Sequence, residues 1–373
     1  LATVFSLLIG GFGAVLTCVQ RNNLQQSGEQ LLEAIEDELS GELAEQSEAL
    51  SALQQAIVRD AGLRPALVAQ DRDRLLADYE DLYTRLRKEH NITHFYFHRA
   101  DRVNLLRVHK PEKHGDLIDR FTALEAERTG KTVSGIELGP LGTFTLRTVR
   151  PIFDEDTRVG YLELGKEIED ILSNISSRYR VELAVSIRKS ALDRARWEAG
   201  MKMLGRESAW DRFADTVLIY SSLPRFPAEC NRFVEKEGHM HSDVTTPATF
   251  AGKTWRVTPS PLKDVSGAEV GDLIILRDVS EEKAAFARLI AKMSATASAL
   301  LAGLIAFFYV TLRRTDTRLR MQQESLRRAE VRYRRLYDTS RDAIMVIGPP
   351  DWRFAAGNRA TLSLFGAQDE ATF

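Results

Sequence analysis

The chain has 373 residues, with 51 Lys and Arg against 53 Asp and Glu, a net charge of -2 and 44% hydrophobic content. That length suits two or three domains, and the balanced charge excludes a protein that grips nucleic acid through a global basic excess. Two cysteines, Cys18 and Cys230, exclude both a disulfide framework and a four-cysteine zinc site.

Leu1 to Gln20 carry no charge and read as a first membrane-spanning helix. A cleaved signal peptide fits less well, because the apolar run is longer than an ordinary signal core and no small-residue cleavage site follows. A lipoprotein box at Val15–Cys18 is spoiled by Thr17, where a smaller residue belongs. Across residues 22–60, Leu24, Leu31, Ile35, Leu39, Leu43, Leu50, Leu53 and Ile57 recur at helical spacing and predict one long helix. Gly62 and Pro65 punctuate it, and a second helix is predicted over 72–90.

The pattern then changes to short alternating runs rich in β-formers: 92–98, 104–110, 131–137, 142–153 and 158–165. A helix-like stretch at 116–128 interrupts them, and 166–178 returns to helix. A weaker cycle follows, with a strand at 181–187, a helix at 190–204 and strands near 214–221, 243–250, 253–260 and 269–279. The expected class is therefore α/β (more narrowly α+β), with two similar modules in tandem. The last strand feeds a helix from Glu281 that runs unbroken into a second span, Ser294–Leu312, 19 uncharged residues long. At about 1.5 Å per residue these cover roughly 28 Å, close to the hydrocarbon thickness.

Flanking charge orients the spans. Residues 20–50 hold eight acidic residues and only Arg21, whereas residues 313–335 hold nine arginines and three acidic residues. Positive flanks stay inside, so the chain after Leu312 is expected in the cytoplasm and the segment between the spans outside. Leu312, Leu319, Leu326 and Tyr333 are seven residues apart, a short heptad register that either pairs two chains or lies as a basic helix near acidic headgroups.

The block FYFHRADRVNLLRVHKPEKHGDLIDRF, with ERTGKTVSGIELGPLGTFTLRTVRPIFD and VGYLELGKEIEDIL, spans Phe95 to Leu172 and resembles the membrane-distal half of a double Cache sensor domain. The resemblance covers about residues 22–290, strongly in the first module and only architecturally in the second. It implies two PAS-like modules on a long N-terminal helix, outside the inner membrane of a bacterium, sensing a small molecule held in the distal module. Residues 335–366 resemble the opening of a PAS domain, at Leu336, Asp342, Ala343, Ile344, Asn358, Ala360, Leu364, Phe365 and Gly366. The expected map is a span at 1–20, a periplasmic sensor at 21–290 (modules about 70–178 and 180–280), a span at 291–312, a signalling helix at 313–335 and a PAS start at 336–373. The chain reads as a fragment open at both ends. Nothing between Arg313 and Arg335 is long enough for a HAMP relay, so family habit implies a histidine kinase or diguanylate cyclase output. A chemotaxis receptor or a plain solute-binding tether is the alternative.

Five of seven histidines fall between His90 and His114, but no carboxylate or cysteine joins them at a ligand spacing, so no metal is expected. His239 and His241 read as surface residues. Arg107, His109, Lys110, His114, Arg147 and Arg150 place many cationic donors around one hairpin and its neighbour, with Tyr96 and His98 sharing a strand face. Forked guanidinium donors suit a carboxylate, so a small organic anion is the expected ligand. Glu137, Asp101 and Glu163 offer the alternative of an internal ion-pair network. Arg107 and Lys110 cannot both face inward on a regular strand. No nucleophilic triad, nucleotide loop or acid/base pair stands out, so neither a catalytic residue nor a cofactor is expected in this segment. The expected partners are the small ligand, the membrane and a second copy through the cytoplasmic helix, without nucleic acid.

Overall fold

One uninterrupted helix, α1 (Ala2–Val58), covers the apolar N-terminal stretch and the amphipathic stretch after it. Ile35, Leu39, Leu50 and Ile57 are the buried positions of its stripe. The computed structural model describes residues 2–139, 142–203, 208–235 and 246–369. The expected span at 1–20 lies at the start of α1, and its side chains up to residue 9 are outside the described set, as are His239 and His241. Pro65 does not merely punctuate: it sits in the first turn of a short helix, α2 (Leu63–Val68), where a missing N–H costs nothing. Leu63, Ala66 and Leu67 of α2 are buried. Helix α3 (Arg72–His90) starts on Asp71, whose side chain accepts from the Arg74 N–H, and closes on Asn91 in the left-handed region.

The next strands are β1 (Ile92–Arg99), β2 (Asn104–Arg107), β3 (Val133–Leu138), β4 (Phe144–Asp154) and β5 (Thr157–Glu167), with helix α4 (Phe121–Thr129) between β2 and β3. They form one sheet in the order β2-β1-β5-β4-β3, antiparallel throughout. Strand β2 stops at Arg107, short of the expected Lys110, and α4 begins at Phe121, later than the expected 116. Alternation gives the sheet two unlike faces. Phe95, Phe97, Leu106, Leu146, Leu162 and Leu164 pack with Leu75, Tyr79 and Leu86 of α3 and the stripe of α1. Tyr79 alone meets Phe95 and Phe97 at centroid distances of 5.9 and 5.1 Å. The other face carries His94, Tyr96, His98, Glu137, Arg147 and Glu163.

Helix α5 (Glu169–Tyr179) leads into a second sheet of β6 (Glu182–Arg188), then, after helix α6 (Arg194–Met203), β7 (Thr216–Ser221). A short helix α7 (Arg232–Glu235), absent from the sequence reading, precedes β8 (Thr246–Phe250), β9 (Lys253–Lys263) and β10 (Glu269–Asp278). Its order, β7-β6-β10-β9-β8, repeats that of the first sheet position for position. The tandem α/β arrangement expected from the sequence is present. One face of this second sheet, with Leu183, Val185, Ile187, Leu273 and Ile275, joins the core shared with α1. The other is filled by Phe213, Phe226, Cys230, Val234, Trp255, Val257 and Leu276.

The chain divides into two units, Leu1–Ala287 and Arg288–Phe373. Helix α8 (Ser280–Thr339) starts in the first and supplies most of the second. Among the described residues it is the one helix long and apolar enough to cross a membrane, by length and composition. After it come β11 (Met345–Gly348), β12 (Arg353–Gly357) and α9 (Arg359–Phe365). Buried Asn358 ties them together: its Oδ1 accepts from the N–H groups of Ile344 and Thr361, and its Nδ2 donates to Asp342 O.

Candidate functional site

The polar face of the first sheet follows directly from its register. Tyr96 stands opposite both Arg107 and Glu163, His98 opposite Tyr161, Glu163 opposite Val149, and Arg147 opposite both Gly165 and Gly135. Directly opposed residues share a face, so period-two alternation collects these side chains on one side. Gly165 lies at the centre. A Cβ there would meet Thr145 Cγ2 at 3.1 Å and both His94 Cβ and Leu146 O at 3.3 Å, so glycine relieves the crowding of the neighbouring strands at this position.

Glu163 is fully buried and is the hub of the face. Its oxygens accept from Arg147 Nη1 at 2.6 Å and from Arg120 Nη2 at 2.6 and 2.5 Å, and His98 Nε2 donates to Oε2 at 2.9 Å. Burial alone would raise this carboxyl; the guanidinium groups of Arg120 and Arg147 win and hold it well below the usual range. Burial lowers His98, which donates from Nε2 while its Nδ1 accepts from Asn104 Nδ2 at 3.2 Å, as a neutral imidazole does. Asn104 Oδ1 accepts from Arg107, whose two terminal nitrogens clasp Asp116 at 2.6 and 2.7 Å.

Glu137 completes the cluster. Its Oε1 accepts from the Thr122 N–H at 2.7 Å, in the first turn of α4, a placement that also suits the positive end of a helix. Its Oε2 faces Arg120 Nε at 3.4 Å and Arg147 Nε at 3.7 Å. None of these three atoms has a hydrogen-bond partner among the described residues, and all three are buried. The three face one another as ion pairs, so their charges are balanced, while their hydrogen-bonding capacity, which a buried polar group leaves unused at a cost of about 1–3 kcal/mol, is not filled. Burial raises the Glu137 carboxyl, against the pull of the Thr122 N–H.

An aromatic rim adjoins the cluster. Tyr96 is stacked on His94 at 5.7 Å and on His98 at 5.6 Å, with His109 edge-on at 4.9 Å. The Arg107 and Arg120 guanidinium carbons lie 5.2 and 5.8 Å from the centre of its ring. Burial pushes His109 down to about 4 and Glu167 up to about 7, and Glu167 stands 3.8 Å from His94 Nδ1.

The structure thus brings Tyr96, His98, Arg107, His109 and Arg147 together. Lys110 and His114 lie on the loop after β2, where Lys110 stands 4.0 Å from Glu112 and His114 is exposed. Arg150 is separated from them: three residues after Arg147, it points to the opposite face and donates to Ser51 O and Oγ on α1. Strand β2 ends at Arg107, so His109 belongs to the loop that follows and not to the strand. Of the expected counter-ions, Glu137 and Glu163 are in the cluster, whereas Asp101 pairs with Arg99 at the surface. Arg120 went unnoticed in the sequence because it sits in a loop without periodicity. One signal was available: two acids on inward strand positions require a second cation besides Arg147.

A polar, cation-rich face in one module is repeated as an apolar face in the next, on the same strand order. Residues 28–283 match the family described as the double sensory domain of two-component sensor kinases, and the chain belongs to that double Cache family. Similar solved structures include the sensor domain of the Vibrio cholerae histidine kinase DctB, at 12% identity and TM-score 0.42, covering 69% of this chain and 98% of that one. The periplasmic domain of Vibrio cholerae LuxQ matches at 16% identity and TM-score 0.39, covering 67% and 98%. The ligand-binding domain of the Campylobacter jejuni chemoreceptor Tlp3, in complex with 4-methylisoleucine, matches at 12% and 0.38, covering 67% and 88%. No curated protein matches this chain.

Proposed function

We propose that this chain is the input part of a bacterial inner-membrane receptor that holds a small organic anion on the polar face of its first module. In this reading the two sensory modules lie in the periplasm between an N-terminal span and the apolar part of α8. The arginine-rich remainder of α8 pairs two copies in the cytoplasm, and a PAS domain beginning near Leu336 leads to a histidine kinase, the output that the family description favours over a cyclase. The observation that carries the ligand reading is the convergence of Arg120 Nε, Arg147 Nε and Glu137 Oε2, ion-paired with one another but without a hydrogen bond. A ligand carboxylate takes the two guanidinium donors in charge-assisted bonds in place of Glu137 Oε2, and Glu137 then accepts from a hydroxyl or ammonium group on the same ligand. Tyr96 and His98 wall the site, Arg107 and His109 stand at its rim, and Lys110 and His114 lie along the approach.

The test is thermal unfolding of the full chain in detergent with a panel of small carboxylic acids, with and without amino or hydroxyl substituents. One class raises the melting temperature, since binding the folded state alone stabilises it by about 2.7 kcal/mol at a hundredfold excess over Kd. Arg120→Gln removes that gain. A panel in which no acid moves the native protein overturns the anion site.

A further inference from the structure

Two contacts from the second module land on a single element of the first, the β3–β4 hairpin, and that hairpin carries Glu137 and Arg147. The turn between β9 and β10 reaches the outer edge of β3, where the Val265 N–H donates to Ile136 O at 2.9 Å. The Val265 side chain occupies the space over Gly135, where a Cβ would lie 2.2 Å from Val265 Cγ2. Gly135 opposes Arg147 and lies two residues before Glu137, so Val265 abuts the polar face itself. At the other end of the hairpin, Trp197 of α6 packs on Gly142, at φ +79, where a Cβ would lie 2.2 Å from the indole Cδ1. Trp197 is 1% exposed.

We propose that the β3–β4 hairpin is a lever through which the polar face moves the second module, with the β9–β10 ribbon as its push-rod. The ribbon is stiff at its tip: Asp264 Oδ1 accepts from the N–H groups of Ser266 and Ala268, and the Asp264 N–H donates to Ala268 O. From there β10 is paired on both sides, to β6 and β9, down to Leu276. Ten extended residues carry a displacement about 33 Å. The strand ends at Asp278, whose carboxylate accepts from the N–H of Ser280, the first residue of α8. Gly271 locks the ribbon to β6, since a Cβ there would lie 1.9 Å from Ser186 O. A shift at Glu137 therefore has a continuous hydrogen-bonded path to the start of the helix that carries the apolar span. The lever gains its signalling meaning from the sensor reading, but the mechanical coupling belongs to the protein without ligand.

Hydrogen–deuterium exchange on the full chain in detergent tests it. Glu137→Gln loosens β3 and speeds exchange across residues 264–278 about tenfold, as local opening does when a contact on the order of one hydrogen bond is lost. Arg120→Lys, which keeps the charge but gives up the Nε contact to Glu137 of β3, gives the same pattern more weakly and serves if the first variant does not fold. Asp101→Asn, at a surface pair of the same module, leaves 264–278 at the native rate. In a Val265→Pro background, which removes the N–H that donates to Ile136 O, the Glu137→Gln effect stays within β3 and β4. Native exchange at 264–278 in both site variants, or an effect that persists after Val265→Pro, overturns the lever. Spread of the effect without any response to the acid panel keeps the lever and rejects the anion site.

Discussion

At the scale of single residues, the polar face is a set of buried charges that satisfy one another except at one point. Removing one partner of a buried ion pair costs about 3–5 kcal/mol, so Glu163 is as much a structural residue as a binding one. Arg107 is likewise held, by Asp116, which makes it a rim residue rather than a free claw. Glu167 provides a pH test. Burial raises its carboxyl to about 7, above the 4.5 of an ordinary glutamate, so ionisation is easier in the unfolded chain. Its contribution is fully present below about 4.5 and is lost as pH rises to about 7, on the order of 3 kcal/mol. His109, held near 4, works the other way, with stability present at neutral pH and lost as pH falls from 6.5. Glu167→Gln should therefore raise the melting temperature at pH 7.5 and leave it nearly unchanged at pH 4.5. An equal effect at both values means that Glu167 is not held protonated. In the sequence, strand alternation made Tyr96 and His98 legible as one face, because a period of two is local. The pairing of Arg120 with Glu163, 43 residues apart, is not local and had no trace there.

At the scale of elements, the helices and strands were mostly readable, and the differences have local causes. Strand β2 stops at Arg107 because the chain turns away: Arg107 binds Lys113 O and Asp116 in the loop that follows, and beyond it the Val108 N–H still reaches β1, at Phe95 O, and His109 Nδ1 accepts from the Phe95 N–H. The heptad positions of α8 are exposed, Leu312 68%, Leu319 54%, Leu326 74% and Tyr333 60%. Arg320, Arg328 and Arg334 instead pair with acids four residues earlier, at Asp316, Glu324 and Glu330. Such exposed pairs are worth only about 0.3–0.5 kcal/mol each, which leaves the leucine seam as the element with most to gain from a partner. Cysteines at Leu319 or Leu326 should crosslink two chains in membranes, and cysteines at Arg318 or Arg327 should not. Equal crosslinking at all four positions would mean a basic helix without a defined seam.

At the scale of the whole molecule, the repeated sheet order gives two modules one plan with opposite interiors. The first presents charge where the second presents Phe213, Phe226 and Trp255, and only a polar interior can recognise a polar ligand selectively. The arrangement proposed across the membrane predicts that a reporter fused after Arg335 behaves as cytoplasmic and one fused after Ser190 as periplasmic. The reverse pattern would overturn the orientation read from the arginine bias.

The sequence by itself determined the tandem α/β plan, the long helices and the apolar stretch of α8, because helical and strand periodicities and hydropathy are written into neighbouring residues. It also placed Tyr96, His98 and Arg147 on strands rich in polar groups. Tertiary structure alone decided which charges meet: it turned Arg150 toward Ser51 on α1, brought Arg120 from a loop to Glu163, and set Val265 on Gly135 from more than a hundred residues away. Those choices depend on strand order and on which face each chain segment crosses, and neither leaves a periodic signal in the chain.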